Sequence, residues 1–142
     1  MFKYILILTK EGRTRFSKYY VNLQREDKVL TEAEIGRKCL QRRADQCTFM
    51  EYKDHKIVYR RYASLYFVAG VDVDENELAA SEFIQNIVEI LNSYFKNVTE
   101  MHIMCHLDKV HMILDEMIIN GDIVEPRKKN ILAMMKVVDG KT

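Results

Sequence analysis

Residues 47–73 read CTFMEYKDHKIVYRRYASLYFVAGVDV, and residues 78–98 read LAASEFIQNIVEILNSYFKNV. The first stretch holds three β-rich runs: Cys47–Tyr52 and Lys56–Tyr62, joined by a polar turn around Lys53-Asp54, and then Leu65–Val73. The last run is apolar without alternation, the pattern of a strand covered on both faces. In the second stretch Phe83, Ile84, Ile87, Val88, Leu91, Tyr94, Phe95 and Val98 recur at i, i+3, i+4 spacing. With Glu82, Gln85, Glu89 and Lys96 on the other face, this spacing predicts a helix over Leu78–Val98. Strands grouped together ahead of a long helix argue for an α+β fold and against a parallel βαβ sheet.

Working outward, Phe2–Thr9 is a second continuous apolar run and predicts another central strand. It is closed by Glu11-Gly12, with Arg13–Tyr20 as its hairpin partner. Residues 22–28 are polar and read as a loop or helix entry. Thr31-x-x-Glu34 has the form of a capping box, opening a helix that runs to about Arg43. Beyond residue 98, helical stretches are expected at Glu100–His106 and Asp108–Asn120, with Asn120-Gly121 as the stop of the second. A short helix, Lys129–Val137, follows Pro126. The order is ββαβββααα, five strands in one antiparallel sheet, and no linker or repeat divides residues 1–142 into more than one domain.

The 142 residues are 48% hydrophobic and 30% charged, which excludes wholesale disorder. A formal net charge of +1 argues against nucleic-acid or membrane binding driven by bulk charge. The N-terminal apolar run is too short for a secretory signal, and no stretch approaches the ~18 apolar residues of a membrane span, so the expected location is cytosolic. Cys39, Cys47 and Cys105 fit neither a zinc knuckle nor a redox pair and read as plain buried thiols.

Catalytic signatures are scarce. There is no phosphate loop, dinucleotide fingerprint or nucleophile elbow. Asp72–Asn76 imitates the start of a calcium loop, but Glu77 stands where Gly is needed and Phe83 where a bidentate Glu belongs. His102 and His106 share i, i+4 spacing, with Cys105, Asp108 and His111 close in sequence. That gives a rival reading, a metal-dependent or thiol enzyme using His102, His106 and Cys105; the simpler reading is two surface or half-buried imidazoles. Arg60 and Arg61, with Arg13 and Arg15, read as a solvated sheet edge, the alternative being an anion-receptive rim. The 83–98 helix carries more apolar residues than one stripe requires. Either the chain covers it on both sides or a partner docks there.

Several motifs together resemble a known family. They are Glu51-Tyr-Lys-Asp-His-Lys-Ile-Val-Tyr-Arg-Arg-Tyr-Ala-Ser-Leu-Tyr-Phe67, Asn76-Glu-Leu78, Val88-Glu89, Tyr94-Phe95, Leu114-Asp-Glu-Met117 and Gly12-x-Thr14-Arg15 with Lys18-Tyr19-Tyr20. They resemble the small (sigma) subunits of heterotetrameric clathrin-adaptor-type complexes over about residues 1–137. Within that family, Lys38-Cys-Leu40, Gln46-Cys47, Glu51-Tyr-Lys-Asp54 and Leu107-Asp-Lys-Val-His111 are most similar to the sigma chain of the fourth adaptor complex. His55, His102, His106 and Pro126 depart from the residues common in the family.

The resemblance implies a longin-like fold, helices on both faces of a five-stranded sheet, and no enzymatic activity or cofactor. It implies a large adaptin as direct partner, with a second large adaptin and a medium chain completing a heterotetramer. The complex would lie peripherally on the cytosolic face of trans-Golgi or endosomal membranes. It also implies a pocket for acidic dileucine sorting signals, (D/E)-x-x-x-L-(L/I), in cargo tails. Carried over by position, Arg15 is the rim cation, while Tyr62, Ala63, Leu65, Val88, Val98 and Ile103 line the leucine slots. Asn97 would bond the peptide backbone. On that basis Val88→Asp or Leu65→Ser should abolish peptide binding and leave assembly intact.

Overall fold

A computed structural model describes residues 1–41 and 49–140. Five strands, β1 (Phe2–Thr9), β2 (Thr14–Tyr19), β3 (Phe49–Tyr52), β4 (His55–Tyr62) and β5 (Leu65–Val71), form one antiparallel sheet in the order β2-β1-β5-β4-β3. The two continuous apolar runs are the middle strands, as their patterning requires. Alternate side chains on each go to opposite faces. Ile5 and Ile7 of β1, with Leu65, Phe67, Ala69 and Val71 of β5, face one core; Tyr4, Leu6 and Leu8, with Tyr66 and Val68, face the other.

The second face is covered by α1 (Arg25–Gln41), which contributes Ile35 and Cys39. The first is covered by α2 (Glu77–Phe95), α3 (Glu100–Cys105), α4 (Leu107–Met117) and α5 (Lys128–Val138). Asn76 caps α2, its side-chain oxygen accepting from the N–H groups of Leu78 and Ala79 at 2.9 and 3.2 Å. The loop that imitates a calcium site is thereby a helix entry. Lys56, almost buried on β4, reaches the Glu77 carboxylate at 3.0 Å and ties that entry to the sheet.

Two expectations need correction, and one open alternative is decided. α1 begins at Arg25, so residues 25–28 are helical and Thr31 is a buried interior residue, not a cap. The apolar surplus of α2 is consumed inside the chain: Ala80, Phe83, Ile84, Ile87, Val88, Ile90 and Leu91 are all buried among the sheet and the other helices. Asn120-Gly121 does not stop a helix. It turns a short hairpin, β6 (Ile118–Ile119) with β7 (Asp122–Ile123), and its φ values of 53° and 86° are those of a turn that Asn-Gly adopts readily. The smaller differences are four helices after β5 where the order ββαβββααα has three, a strand that ends at Val71 and helices that end at Phe95 and Met117. The expected helix end at Arg42-Arg43 and strand start at Cys47 lie outside the described residues.

Candidate functional site

Four of the eight residues singled out belong to the core on one face of the sheet. Leu65 opens β5, Val88 lies on α2, Val98 follows that helix and Ile103 is on α3, and all four belong to one buried cluster with exposures of 0–2%. Tyr62, half-buried at the end of β4, packs against the same cluster, as does Phe95. Ala63 sits exposed in the β4–β5 turn at φ 54°. All four are core residues, so substitutions at Leu65 or Val88 test the core as well as any pocket.

The chain reverses sharply to bring Val98 inward. Lys96 and Asn97 both adopt left-handed backbone, φ 55° and 79°. Asn92 holds the reversal: its carbonyl accepts the Asn97 N–H at 3.0 Å, and its side-chain oxygen accepts the Val98 N–H at 3.0 Å. Asn97 is left exposed beside the cluster. Asn92 is a positioning residue that sequence reasoning missed, because its partners are backbone groups beyond the helix it terminates.

Immediately after this turn Thr99 caps α3. Its hydroxyl accepts the His102 N–H, while its own N–H donates to His102 Nδ1 at 3.1 Å. The His102 ring stacks on Phe95 at 5.1 Å with 14° between planes, and His106 lies against the same phenyl at 5.8 Å. The i, i+4 pair thus flanks an aromatic ring that covers the cluster, and His102 Nδ1 is occupied as a cap acceptor. Cys105 is exposed, its thiol 3.5 Å from the Met101 sulfur, whereas Cys39 is buried. Among the described residues no three His, Cys, Asp or Glu side chains group so as to hold a metal ion.

Arg15 on β2 donates through Nε to Glu100 Oε1 at 2.9 Å, both side chains being part-buried. It also lines a groove of about 310 Å³ with Thr14, Ser17, Glu32, Leu107 and His111. The basic residues do not form a common rim. Arg60 bonds Ser81 and Gln85 of α2, at 3.3 and 2.6 Å, and β1 and β5 lie between its strand and that of Arg15. His55, read only as a departure at a turn, is buried, with Nε2 2.6 Å from the Tyr4 hydroxyl and Nδ1 3.0 Å from Asp54.

A five-stranded antiparallel sheet with α1 on one face and α2 to α5 on the other defines a longin-like α+β protein. More narrowly, the chain belongs to the clathrin adaptor complex small chain family, whose pattern matches residues 1–142. It is 50% identical over 139 residues to the AP-4 complex subunit sigma-1 of Mus musculus, covering 98% of this chain and 96% of that one. It is 52% identical over 136 residues to the AP-4 complex subunit sigma of Dictyostelium discoideum, covering 96% and 95%. At greater distance it is 42% identical over 140 residues to the AP-2 complex subunit sigma of Schizosaccharomyces pombe, 98% of each chain. A chain described within a homology model of the full-length AP-3 complex in a stretched open conformation superposes with a TM-score of 0.79 at 26% identity, covering 99% of this chain and 94% of that one.

Proposed function

We propose that residues 1–142 form one domain that serves as the small subunit of a heterotetrameric vesicle-coat adaptor complex, beside a large adaptin, a second large adaptin and a medium chain. The reading extends to recognition of acidic dileucine signals in cargo tails, and to a peripheral place on the cytosolic face of trans-Golgi or endosomal membranes. The role is binding and assembly, not catalysis. Among the described residues no helix is long and apolar enough to cross a membrane, consistent with attachment through the complex.

The observation that supports the cargo reading is that Leu65, Val88, Val98 and Ile103, from four separate segments, all belong to the core on the α2 face of the sheet, with the exposed Ala63 and Asn97 close in sequence to Leu65 and Val98. Burying a leucine side chain is worth about 1.5–3 kcal/mol, so such a cluster rewards two adjacent leucines once they enter. Entry requires the half-buried cover, Tyr62 and Phe95, to move aside. The cation Arg15 supplies a partner for the upstream acid. Apolar residues left uncovered, Val29 and Leu30 on α1 and Met101 and Met104 on α3, support a chain whose surface is completed by partners.

The test uses the assembled complex. A fluorescein-labelled acidic dileucine peptide is titrated by anisotropy against wild type, Arg15→Gln and Asn97→Ala, with assembly checked by size exclusion. Loss of about tenfold or more in affinity for Arg15→Gln, with four chains still co-eluting, is the expected result. Wild-type affinity in both variants would overturn the pocket reading, and a chain that purifies without adaptins would overturn the subunit reading.

A further inference from the structure

The cation assigned to the cargo acid already holds a carboxylate of its own chain. Glu100 Oε1 lies 2.9 Å from Arg15 Nε, across 85 residues of sequence, with the two side chains 25% and 34% exposed. A second carboxylate, Glu32, lines the same groove, but it accepts the Tyr19 hydroxyl at 2.9 Å. Glu100 is thus the carboxylate paired with Arg15, through Nε. It stands at the first position of α3, directly after the Asn97–Thr99 turn, and one helical turn before the slot wall Ile103. Residues three apart lie on one helix face, so the pair sits where the acid and the leucines of one bound peptide would be read together.

From this geometry we infer that Glu100 is a specificity-determining residue: it competes with the signal's acidic side chain for Arg15 and so sets how strongly the subunit discriminates acidic from neutral signals. The inference rests on the reading of Arg15 given above. An incoming carboxylate exchanges one ion pair for another and leaves Glu100 as a like charge beside it. The acid of the signal then gains less than it would at a free arginine. A signal with Gln in place of the acid leaves the Arg15–Glu100 pair undisturbed.

The experiment measures two fluorescein-labelled peptides, Glu-x-x-x-Leu-Leu and its Gln-x-x-x-Leu-Leu counterpart, against the assembled complex carrying wild type, Glu100→Gln, Arg15→Gln or both substitutions. Glu100→Gln should tighten the acidic peptide about two- to fivefold, the scale of a part-exposed ion pair, and leave the neutral peptide unchanged. The gain should vanish when Arg15→Gln is added. Equal tightening of both peptides would mean that Glu100 merely holds α3 in place, and would overturn the inference, as would no change for the acidic peptide. If Glu100→Gln fails to assemble, Glu100→Ala carries the same test. An acidic peptide indifferent to Arg15→Gln would sink the rim assignment itself, whereas sensitivity to Arg15→Gln without any response to Glu100→Gln removes only the competition.

Discussion

Gly70→Ala should destabilise the protein severely, and the reason lies on the α1 face of the sheet. Gly70 on β5 pairs directly with Tyr4 on β1, whose side chain is 1% exposed and lies across it. A Cβ added at Gly70 would stand 2.3 Å from Tyr4 Cζ and 2.4 Å from Cε2. Ordinary carbon contact is about 3.5–4.0 Å, so the ring must retreat by about 1 Å or more. It has nowhere to go cheaply: Tyr19 and His55 rings lie at 5.5 and 5.3 Å, and the hydroxyl is bonded to His55 Nε2 at 2.6 Å in the buried interior. Retreat breaks that bond. Overpacking costs about 1–3 kcal/mol and an orphaned buried polar pair about 1–3 more, giving about 3 kcal/mol as a conservative figure. At about 2.1 cal/mol/K per residue the unfolding entropy of a chain this size is about 0.3 kcal/mol/K, so Tm should fall by about 10 °C. The assay is thermal unfolding by circular dichroism of wild type, Gly70→Ala, Tyr4→Leu and the double variant. Because Tyr4→Leu removes the ring that the methyl strikes, the two substitutions should be strongly non-additive. A Gly70→Ala protein melting within 2 °C of wild type, or a double variant whose loss equals the sum of the single losses, would refute the reasoning.

Two further outcomes concern other parts of the chain. Val88→Asp, at a position only 2% exposed, should cost about 3–6 kcal/mol through lost apolar burial and an unpartnered carboxyl, so the chain should fail to fold before peptide binding can be measured; a soluble variant with wild-type Tm would show that the slot is open to water. Glu125 has its pKa pulled from 4.5 down to about 2, chiefly by the hydrogen bond from the Arg127 side chain, then by the Arg127 N–H and Asn130. A carboxylate depressed in the fold contributes stability above its ordinary pKa and loses it as pH falls through the folded value. Urea midpoints of wild type should therefore fall more steeply than those of Glu125→Gln between pH 4.5 and 2; parallel curves would count against the pairing.

How much of this was legible in the sequence depends on the range of the cause. Continuous apolar runs place β1 and β5 at the sheet centre because both faces must be covered, and the 3.6-residue spacing of Phe83 to Leu91 declares α2 without ambiguity. The start of α1 was hidden because its first turns, Arg25 to Leu30, put charges and the exposed Val29 and Leu30 where an amphipathic stripe would be sought. Asn120-Gly121 misled because left-handed backbone serves a helix stop and a hairpin turn equally well; only Ile118 pairing with Ile123 decides between them. The candidate site was legible as a set of residue types and not as a geometry. Apolar identity at Leu65, Val88, Val98 and Ile103 suits a core and a slot wall alike, and nothing local shows that Arg15 meets Glu100.

Closure of that cluster constrains any signal-binding role. Two leucine side chains can contribute about 3–6 kcal/mol on full burial, whereas micromolar affinity requires about 8 kcal/mol. Part of the leucine gain is offset by moving Tyr62 and Phe95 off the cluster they cover. On the proposed reading, the balance must come from the polar end of the peptide, at Asn97 and Arg15. The exposed Asn97 is available without rearrangement, whereas Arg15 is already paired with Glu100 through Nε. On that reading the apolar slots would rank signals by shape, and the charge exchange at Arg15 would shift the affinity of acidic signals by about two- to fivefold.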